Sequence, residues 1–126
     1  MVADDHPEVL EEIQRLLESE FEVARAVRGG RELLEAVAEV RPDAVVSDIA
    51  MPDLDGIETA RRIVEREGAP AVLVLTMHND PELAERALEA GIRGFILKVD
   101  AGEELIGAVR AVAGGGIYVS RSVRAR

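Results

Sequence analysis

The alternation of short apolar runs with amphipathic segments is the feature that most constrains the fold of this chain. In each amphipathic segment the apolar residues recur three and four positions apart, as one face of a helix requires; Val9, Ile13 and Leu16 are an example. Five apolar runs of strand length separate these segments, at residues 1–3, 21–27, 44–48, 71–76 and 94–97. Five strands that are each followed by a helix predict a parallel sheet with helices on both faces.

Few arrangements of such a sheet are open, because the crossovers between parallel strands are right-handed. The common arrangement at this length is the flavodoxin-like (βα)5 fold, a three-layer α/β sandwich whose five parallel strands lie in the order 2-1-3-4-5. We predict one domain of this fold over residues 1–113. Three glycines at 114–116 stop the last helix, and residues 114–126 are predicted to form a tail that docks and then continues as a linker.

Charge and composition exclude several classes of function. The formal net charge is −10 at pH 7, which opposes direct binding to nucleic acid, because such affinity comes largely from basic residues that neutralise phosphates. The chain has no cysteine, so disulfides and thiolate metal sites are excluded. Its apolar runs fall far short of the roughly 20 residues that a membrane span needs, and no secretion signal is recognisable. A cytoplasmic protein that does not bind membranes is therefore expected.

Polar side chains follow four of the five predicted strands. In sheets of this kind ligands bind beyond the carboxyl ends of the strands, and at those positions the sequence has Asp4, Asp5, Asp48, Thr76 and Lys98. Lys98 is the only lysine among 15 basic residues, which indicates that its position requires a compact ammonium rather than a planar guanidinium. The sequence therefore predicts one site that combines three carboxylates, a hydroxyl and an ammonium.

Other acidic residues have structural explanations. Asp55 and Asp80 are placed to cap the third and fourth helices, and Asp100 is placed to cap the fifth. The role of Asp5 stays open at this point, since either Asp5 or His6 can cap the first helix. A cap at Asp5 would not preclude a role as a metal ligand.

Asp48 has no capping role, because it ends a buried strand, where a carboxylate is costly unless it is neutralised. Three carboxylates that lie together repel one another unless a cation intervenes. Magnesium suits this setting, since it typically binds one or two protein carboxylates together with a substrate phosphate. Asp48 can then attack phosphorus as a carboxylate nucleophile and form an aspartyl phosphate, while Lys98 offsets charge on the transferring oxygens.

Four segments of the sequence closely resemble response-regulator receiver domains of two-component systems. They are ADDHP at 3–7, DIAMPDLDG at 48–56, LVLTMH at 73–78 and GFILK at 94–98. The tail at 114–120 is similar to that of the NarL/FixJ (LuxR-type) subfamily. The resemblance covers residues 1–120, and the occurrence of four motifs in order makes it specific.

The resemblance implies a role for each residue of the predicted site. The groups that would hold Mg²⁺ all offer oxygen donors: Asp4, Asp5, Asp48 and the backbone carbonyl of Ala50. Asp48 is also implied to be the phosphoacceptor. Thr76 and Lys98 match the positions that contact the phosphoryl group, and Thr76 and Phe95 match the pair that changes conformation in the switch.

The resemblance also implies a function and partners. The phosphoryl group comes from a sensor histidine kinase, and phosphorylation alters the face formed by helix 4, strand 5 and helix 5. The chain is then a switch that catalyses only its own phosphorylation and dephosphorylation, and it controls transcription through a DNA-binding domain that this chain does not contain. Homodimerisation on phosphorylation is expected at the level of the family.

Two features depart from the family pattern. Only three residues precede Asp4, so the central strand is expected to be short. We expect the domain to be less stable than a version with added N-terminal apolar residues; equal melting temperatures would reject this. Val99 replaces the usual proline after the switch lysine, as is common in the NarL/FixJ subfamily.

Two other functions stay open. One is an interaction module that keeps the fold but works without phosphorylation, and binding of beryllofluoride with magnesium would decide against it. The other is a magnesium phosphatase that turns over small phosphoesters. Against the phosphatase, enzymes of that kind have two aspartates spaced by one residue after the first strand, whereas Asp4 and Asp5 are adjacent.

Overall fold

A computed structural model describes residues 1–124; the last two residues of the predicted tail lie outside the described residues. The strands are β1 (Val2–Ala3), β2 (Ala26–Val27), β3 (Ala44–Asp48), β4 (Ala71–Thr76), β5 (Gly94–Leu97) and β6 (Tyr118–Val119). The helices are α1 (Pro7–Glu18), α2 (Gly30–Val40), α3 (Gly56–Val64), α4 (Pro81–Glu89), α5 (Ala101–Ala113) and α6 (Arg121–Arg124), and a 3-10 turn spans Lys98–Asp100. None of the helices within residues 1–124 is long and apolar enough to cross a membrane.

The six strands form one parallel sheet in the order β2-β1-β3-β4-β5-β6. This confirms the predicted flavodoxin-like order, and β3, β4 and β5 have the predicted bounds. The sheet has one strand more than the predicted five: Tyr118 and Val119 pair with Gly94 and Phe95 at the outer edge of β5. A strand of two residues is too short for an apolar pattern to reveal, so the sequence pattern predicts only a tail at these residues.

The first two strands are short. Residues 21–27 are predicted to form one strand, but only Ala26 and Val27 pair, with Val2 and Ala3 of β1. A strand extends only as far as a neighbouring strand pairs with it through backbone hydrogen bonds, and β1 has only two residues for such pairing. The residues before Ala26 therefore run without a strand partner.

The sheet separates two apolar clusters, as the predicted three layers require. Alternate residues of β4 face opposite sides: Val72 and Val74 belong to the cluster under α2, α3 and α4, whereas Leu73 and Leu75 belong to the cluster under α1 and α5. All four side chains are at most 1% exposed. Full burial of an aliphatic side chain of this size contributes roughly 1.5–3 kcal/mol, so the central strands hold the polar residues that follow them in fixed positions.

Two of the three predicted helix caps are confirmed. Asp55 accepts hydrogen bonds of 2.8 and 3.1 Å from first-turn amides of α3, and Asp80 accepts bonds of 3.0 and 3.4 Å at α4. The prediction for Asp100 is wrong: it has a helical conformation within the 3-10 turn, its side chain caps no amide of α5, and its carboxylate accepts a hydrogen bond from the Ser120 hydroxyl. His6 precedes α1, but its side chain makes no capping bond.

The tail beyond residue 113 packs against α5 and β5. Glu104 of α5, which is 7% exposed, accepts hydrogen bonds from the Tyr118 hydroxyl at 2.6 Å and from the Arg121 amide at 3.1 Å, both through Oε1. Its other oxygen is buried and has no hydrogen-bond partner among residues 1–124. The Ser120 amide donates to the Phe95 carbonyl at 2.8 Å. These contacts make the start of the tail a part of the folded unit.

Candidate functional site

The carboxylates that the sequence predicts to meet do lie at one edge of the sheet. Asp4 and Asp5 follow β1, and Asp48 ends the neighbouring strand β3. Asp4 is 0% exposed and Asp48 3%, whereas the side chain of Asp5 is 24% exposed. One possible ligand atom from each of these residues and one from His6 lie within 4.8 Å of one another. They form an acidic pocket that could hold a metal ion.

Lys98 joins the two buried carboxylates. It follows β5, and its ammonium Nζ donates to Oδ2 of Asp4 at 3.3 Å and to Oδ2 of Asp48 at 3.2 Å. Burial acts to lower the pKa of Lys98, but the charges of Asp48 and Asp4 oppose this effect, and the net result is a pKa above the ordinary lysine value. Lys98 is therefore a cation at any pH near neutrality.

Backbone amides fix the other oxygen of each buried carboxylate. The Ala50 amide donates to Oδ1 of Asp48 at 3.1 Å, and the His6 amide donates to Oδ1 of Asp4 at 2.9 Å. Each carboxylate is thus held between a backbone amide and the Lys98 ammonium. Such charge-assisted bonds restrict the side chains to one orientation. Ala50 itself is exposed in the loop after β3.

Thr76 and Phe95, the residues predicted to form the switch, lie on neighbouring strands. Thr76 ends β4 at the same edge as Asp48, is 0% exposed, and its hydroxyl oxygen accepts a hydrogen bond from the His78 amide at 3.1 Å. Phe95 lies in β5, and its side chain is fully buried in the cluster under α2, α3 and α4. The structure thus brings Thr76 to the edge that carries the carboxylates, and it places Phe95 in the core beside that edge.

His6 is a member of the acidic pocket that sequence reasoning considers only as a helix cap. Its Nδ1 lies 3.4 Å from Oδ1 of Asp4 and 3.2 Å from Oδ1 of Asp5. Neither of these two contacts is a hydrogen bond, and Oδ1 of Asp5 is buried without a hydrogen-bond partner among the described residues. The only sequence signal for His6 is its position directly after the two aspartates.

The charge of the pocket is not balanced by the residues that form it. Three carboxylates face one ammonium, and His6 is 67% exposed at the rim. Negative charge therefore stays in excess, which favours the entry of a cation.

Comparison with known proteins assigns the chain to a family. The family model for the response regulator receiver domain matches residues 1–110. The chain belongs to the response-regulator receiver family. Receiver domains are regulatory switches rather than enzymes of the ordinary kind, and this assignment confirms the resemblance seen in the four motifs.

The relatives point to the LuxR type of response regulator. The transcriptional regulatory protein DegU of Brevibacillus brevis is 36% identical over 125 residues, which are 98% of this chain and 53% of DegU. A LuxR-family two-component response regulator from Aurantimonas sp. matches with a TM-score of 0.92 and 34% identity over 99% of this chain and 91% of that one. The chain thus spans little more than half the length of the curated relative.

One solved relative was determined in the presence of a phosphomimetic. The isolated receiver domain of RcsB from Salmonella enterica serovar Typhimurium, solved in the presence of phosphomimetic BeF₃⁻, matches with a TM-score of 0.89. It is 29% identical and covers 98% of this chain and 94% of that one.

Proposed function

We propose that Asp48 accepts a phosphoryl group from a sensor histidine kinase, with Mg²⁺, and that this modification switches the state of the domain. The observation that carries the proposal is the pairing of Asp48 with Lys98. Asp48 is a nearly buried carboxylate at the mouth of a central strand, and the ammonium of the only lysine lies 3.2 Å from it. The ammonium lies where it can offset negative charge as the carboxylate attacks phosphorus.

In the transfer, an oxygen of Asp48 forms a bond to phosphorus while the bond between phosphorus and the kinase histidine nitrogen breaks. The electron pair of that bond stays on the nitrogen. Lys98 offsets negative charge on the phosphoryl oxygens. The hydroxyl oxygen of Thr76 accepts a hydrogen bond from the His78 amide. The hydroxyl proton can therefore be donated to a phosphoryl oxygen.

We assign the Mg²⁺ to Asp4, Asp5, Asp48 and the backbone carbonyl of Ala50. When bound, the ion neutralises charge on the carboxylates and on the phosphoryl oxygens. Two properties of the chain support the fit: carboxylates outnumber the ammonium, and Oδ1 of Asp5 is buried without a hydrogen-bond partner in the described part of the chain. Both favour a hard cation with oxygen ligands.

The proposed readout is a change at the face formed by α4, β5 and α5. Phosphorylation adds roughly −1.5 to −2 charge, which draws Thr76 and Lys98 toward the new group. Phe95 lies on the strand next to that of Thr76, in register with Val74, and would repack when Thr76 moves. A partner that binds the altered face more tightly then shifts the balance between the two states.

For the whole protein we propose a cytoplasmic regulator of transcription. The receiver domain of residues 1–113, with its tail of residues 114–126, would control a DNA-binding domain outside this chain and would form a homodimer on phosphorylation. This proposal is supported by the similarity to transcriptional regulators such as DegU, of which the chain covers 53%.

The test is incubation with acetyl phosphate and Mg²⁺, followed by mass spectrometry of the intact protein. We expect the wild type to gain one phosphoryl group and Asp48→Asn to gain none. Asp43→Asn is a matched control, because Asp43 is exposed just before β3, at the opposite end of the same strand; it should react like the wild type. Equal phosphorylation of wild type and Asp48→Asn would place the nucleophile elsewhere, and failure of the wild type to react or to bind beryllofluoride would favour a phosphorylation-independent module.

A further inference from the structure

The loop between β3 and α3, residues 49–55, is held in place from several sides; we call it the acceptor loop. The Ile49 amide donates to the Leu75 carbonyl at 2.9 Å, and the Gly56 amide donates back to the Ile49 carbonyl at 3.0 Å. Met51 is buried in the core at 5% exposure. Between these anchors lies Ala50, whose amide bonds to Asp48 and whose carbonyl is the backbone ligand assigned above.

Asp53, also in the acceptor loop, binds to a helix that is distant in sequence. Its Oδ1 accepts a hydrogen bond from the Gly30 amide at 2.9 Å, and its Oδ2 accepts one from the Arg31 amide at 3.1 Å. These amides begin α2, whose own N-cap residue is Gly29 and therefore has no side chain to offer. The two backbone hydrogen bonds hold the pKa of Asp53 below its ordinary value, and the bond from the Gly30 amide has the larger effect.

The contact joins the loop to α2 at close range. A Cβ at Gly29 would lie 3.0 Å from Oδ2 of Asp53, and a Cβ at Gly30 would lie 2.9 Å from Cβ of Leu54. The Asp53 carboxylate thus fills the space that an ordinary N-cap side chain would occupy. A cap supplied by another segment fixes two elements at once: it satisfies the helix amides, and it holds the segment that supplies it.

We propose that Asp53 is a positioning residue, which ties the acceptor loop to the start of α2 and so keeps Ala50 in place for the metal and for Asp48. The part that concerns the metal rests on the proposed function. Groups that orient a metal ligand from behind typically change metal affinity about 10-fold or more when they are removed. We expect Asp53→Ala to weaken Mg²⁺ binding by roughly 10-fold.

A double variant separates positioning from simple helix capping. Asp53→Ala vacates the space beside Gly29, and the backbone of Gly29 is extended, with φ −160° and ψ 163°. Ser is a favourable N-cap residue in that conformation. Asp53→Ala combined with Gly29→Ser should therefore restore a cap to α2 without restoring the tie to the loop.

The experiment compares these variants by melting temperature, by Mg²⁺ titration in a calorimeter and by amide hydrogen exchange without metal. We expect the double variant to recover most of the melting temperature that Asp53→Ala loses. In both variants Mg²⁺ binding should stay weak and the Ala50 amide should exchange faster than in the wild type. The control Asp80→Ala removes the cap of α4 and should lower the melting temperature while Mg²⁺ binding and Ala50 exchange stay unchanged.

Two results would overturn the proposal. Recovery of Mg²⁺ affinity and of slow Ala50 exchange in the double variant would show that Asp53 only caps α2. Wild-type exchange at Ala50 in Asp53→Ala would show that the loop does not depend on it. Absence of Mg²⁺ binding by the wild type is a different outcome: it would refute the proposed metal site, while the exchange measurement without metal would still decide the role of Asp53.

Discussion

Replacing Lys98 by methionine would measure what its charge contributes to the fold. Methionine has a similar length and no charge, so the variant leaves Asp4 and Asp48 buried without their shared cation. The side chain of Lys98 is 17% exposed, and those of Asp4 and Asp48 are 0% and 4% exposed. Water therefore has little access with which to replace the lost partner.

The expected loss follows from the geometry. Opposite unit charges 3.2 Å apart attract by about 5 kcal/mol at an effective dielectric constant near 20, and desolvation offsets much of this. Removal of one member of a buried ion pair typically costs about 3–5 kcal/mol. We take the lower end, about 3 kcal/mol, because the ammonium is partly hydrated and because each carboxylate keeps a bond from a backbone amide.

The assay is urea unfolding at pH 7 with a chelator present. Lys98→Met should lose about 3 kcal/mol of unfolding free energy, while Arg25→Met, which breaks an exposed pair with Glu39, should lose less than about 1 kcal/mol. Because the pKa of Lys98 is raised in the folded state, the stabilisation of the fold by its ammonium is fully present below the ordinary lysine pKa of about 10.4. This stabilisation is lost as the pH rises through the higher pKa of the folded state. A loss no larger than that of the control at pH 7 would refute the argument.

Three further predictions concern stability. A Cβ at Gly56 would lie 2.3 Å from a backbone carbonyl oxygen of the acceptor loop, so Gly56→Ala should lower the free energy of unfolding by about 1–3 kcal/mol. A Cβ at Gly107 in α5 would lie in open space, so Gly107→Ala should raise it by up to about 1 kcal/mol. Urea unfolding would show both changes. Tyr118→Phe removes a donor to the buried Glu104 and should cost about 1–3 kcal/mol, which thermal unfolding would detect; an unchanged melting temperature would contradict it. Because the pKa of Asp53 is lowered in the folded state, its ionised carboxylate stabilises the fold at pH values above about 4, and this stabilisation is lost as the pH falls further. Asp53→Asn should therefore lose stability less steeply than the wild type in acid. Parallel curves of unfolding free energy against pH for the two proteins would count against the amide bonds.

The parts of the fold that the sequence predicts well are those where burial sets the pattern. The strand Ala71–Thr76 is apolar from Ala71 to Leu75 because both of its faces are covered, and its predicted bounds agree with the structure. The convergence of Asp4, Asp48 and Lys98 is predictable for a related reason: parallel strands end at one edge, so residues that follow them must meet.

The parts that the sequence does not predict depend on contacts between distant segments. Asp100 is of a residue type that is favoured at helix N-caps and stands before the fifth helix, but the tail brings the Ser120 hydroxyl to its carboxylate. Asp53 has no local signal, because the amides that it binds are 22 and 23 residues away. The strand Tyr118–Val119 exists because β5 offers an edge and not because its own two residues specify a strand.

The single lysine gives this domain a built-in probe of its own motions. A protease that cleaves only after lysine has one target bond in the chain, between Lys98 and Val99. Val99 is 86% exposed, but Lys98 must release both carboxylates before it can enter the protease. The rate of cleavage therefore reports how often Lys98 leaves the acidic pocket, without any label or added residue.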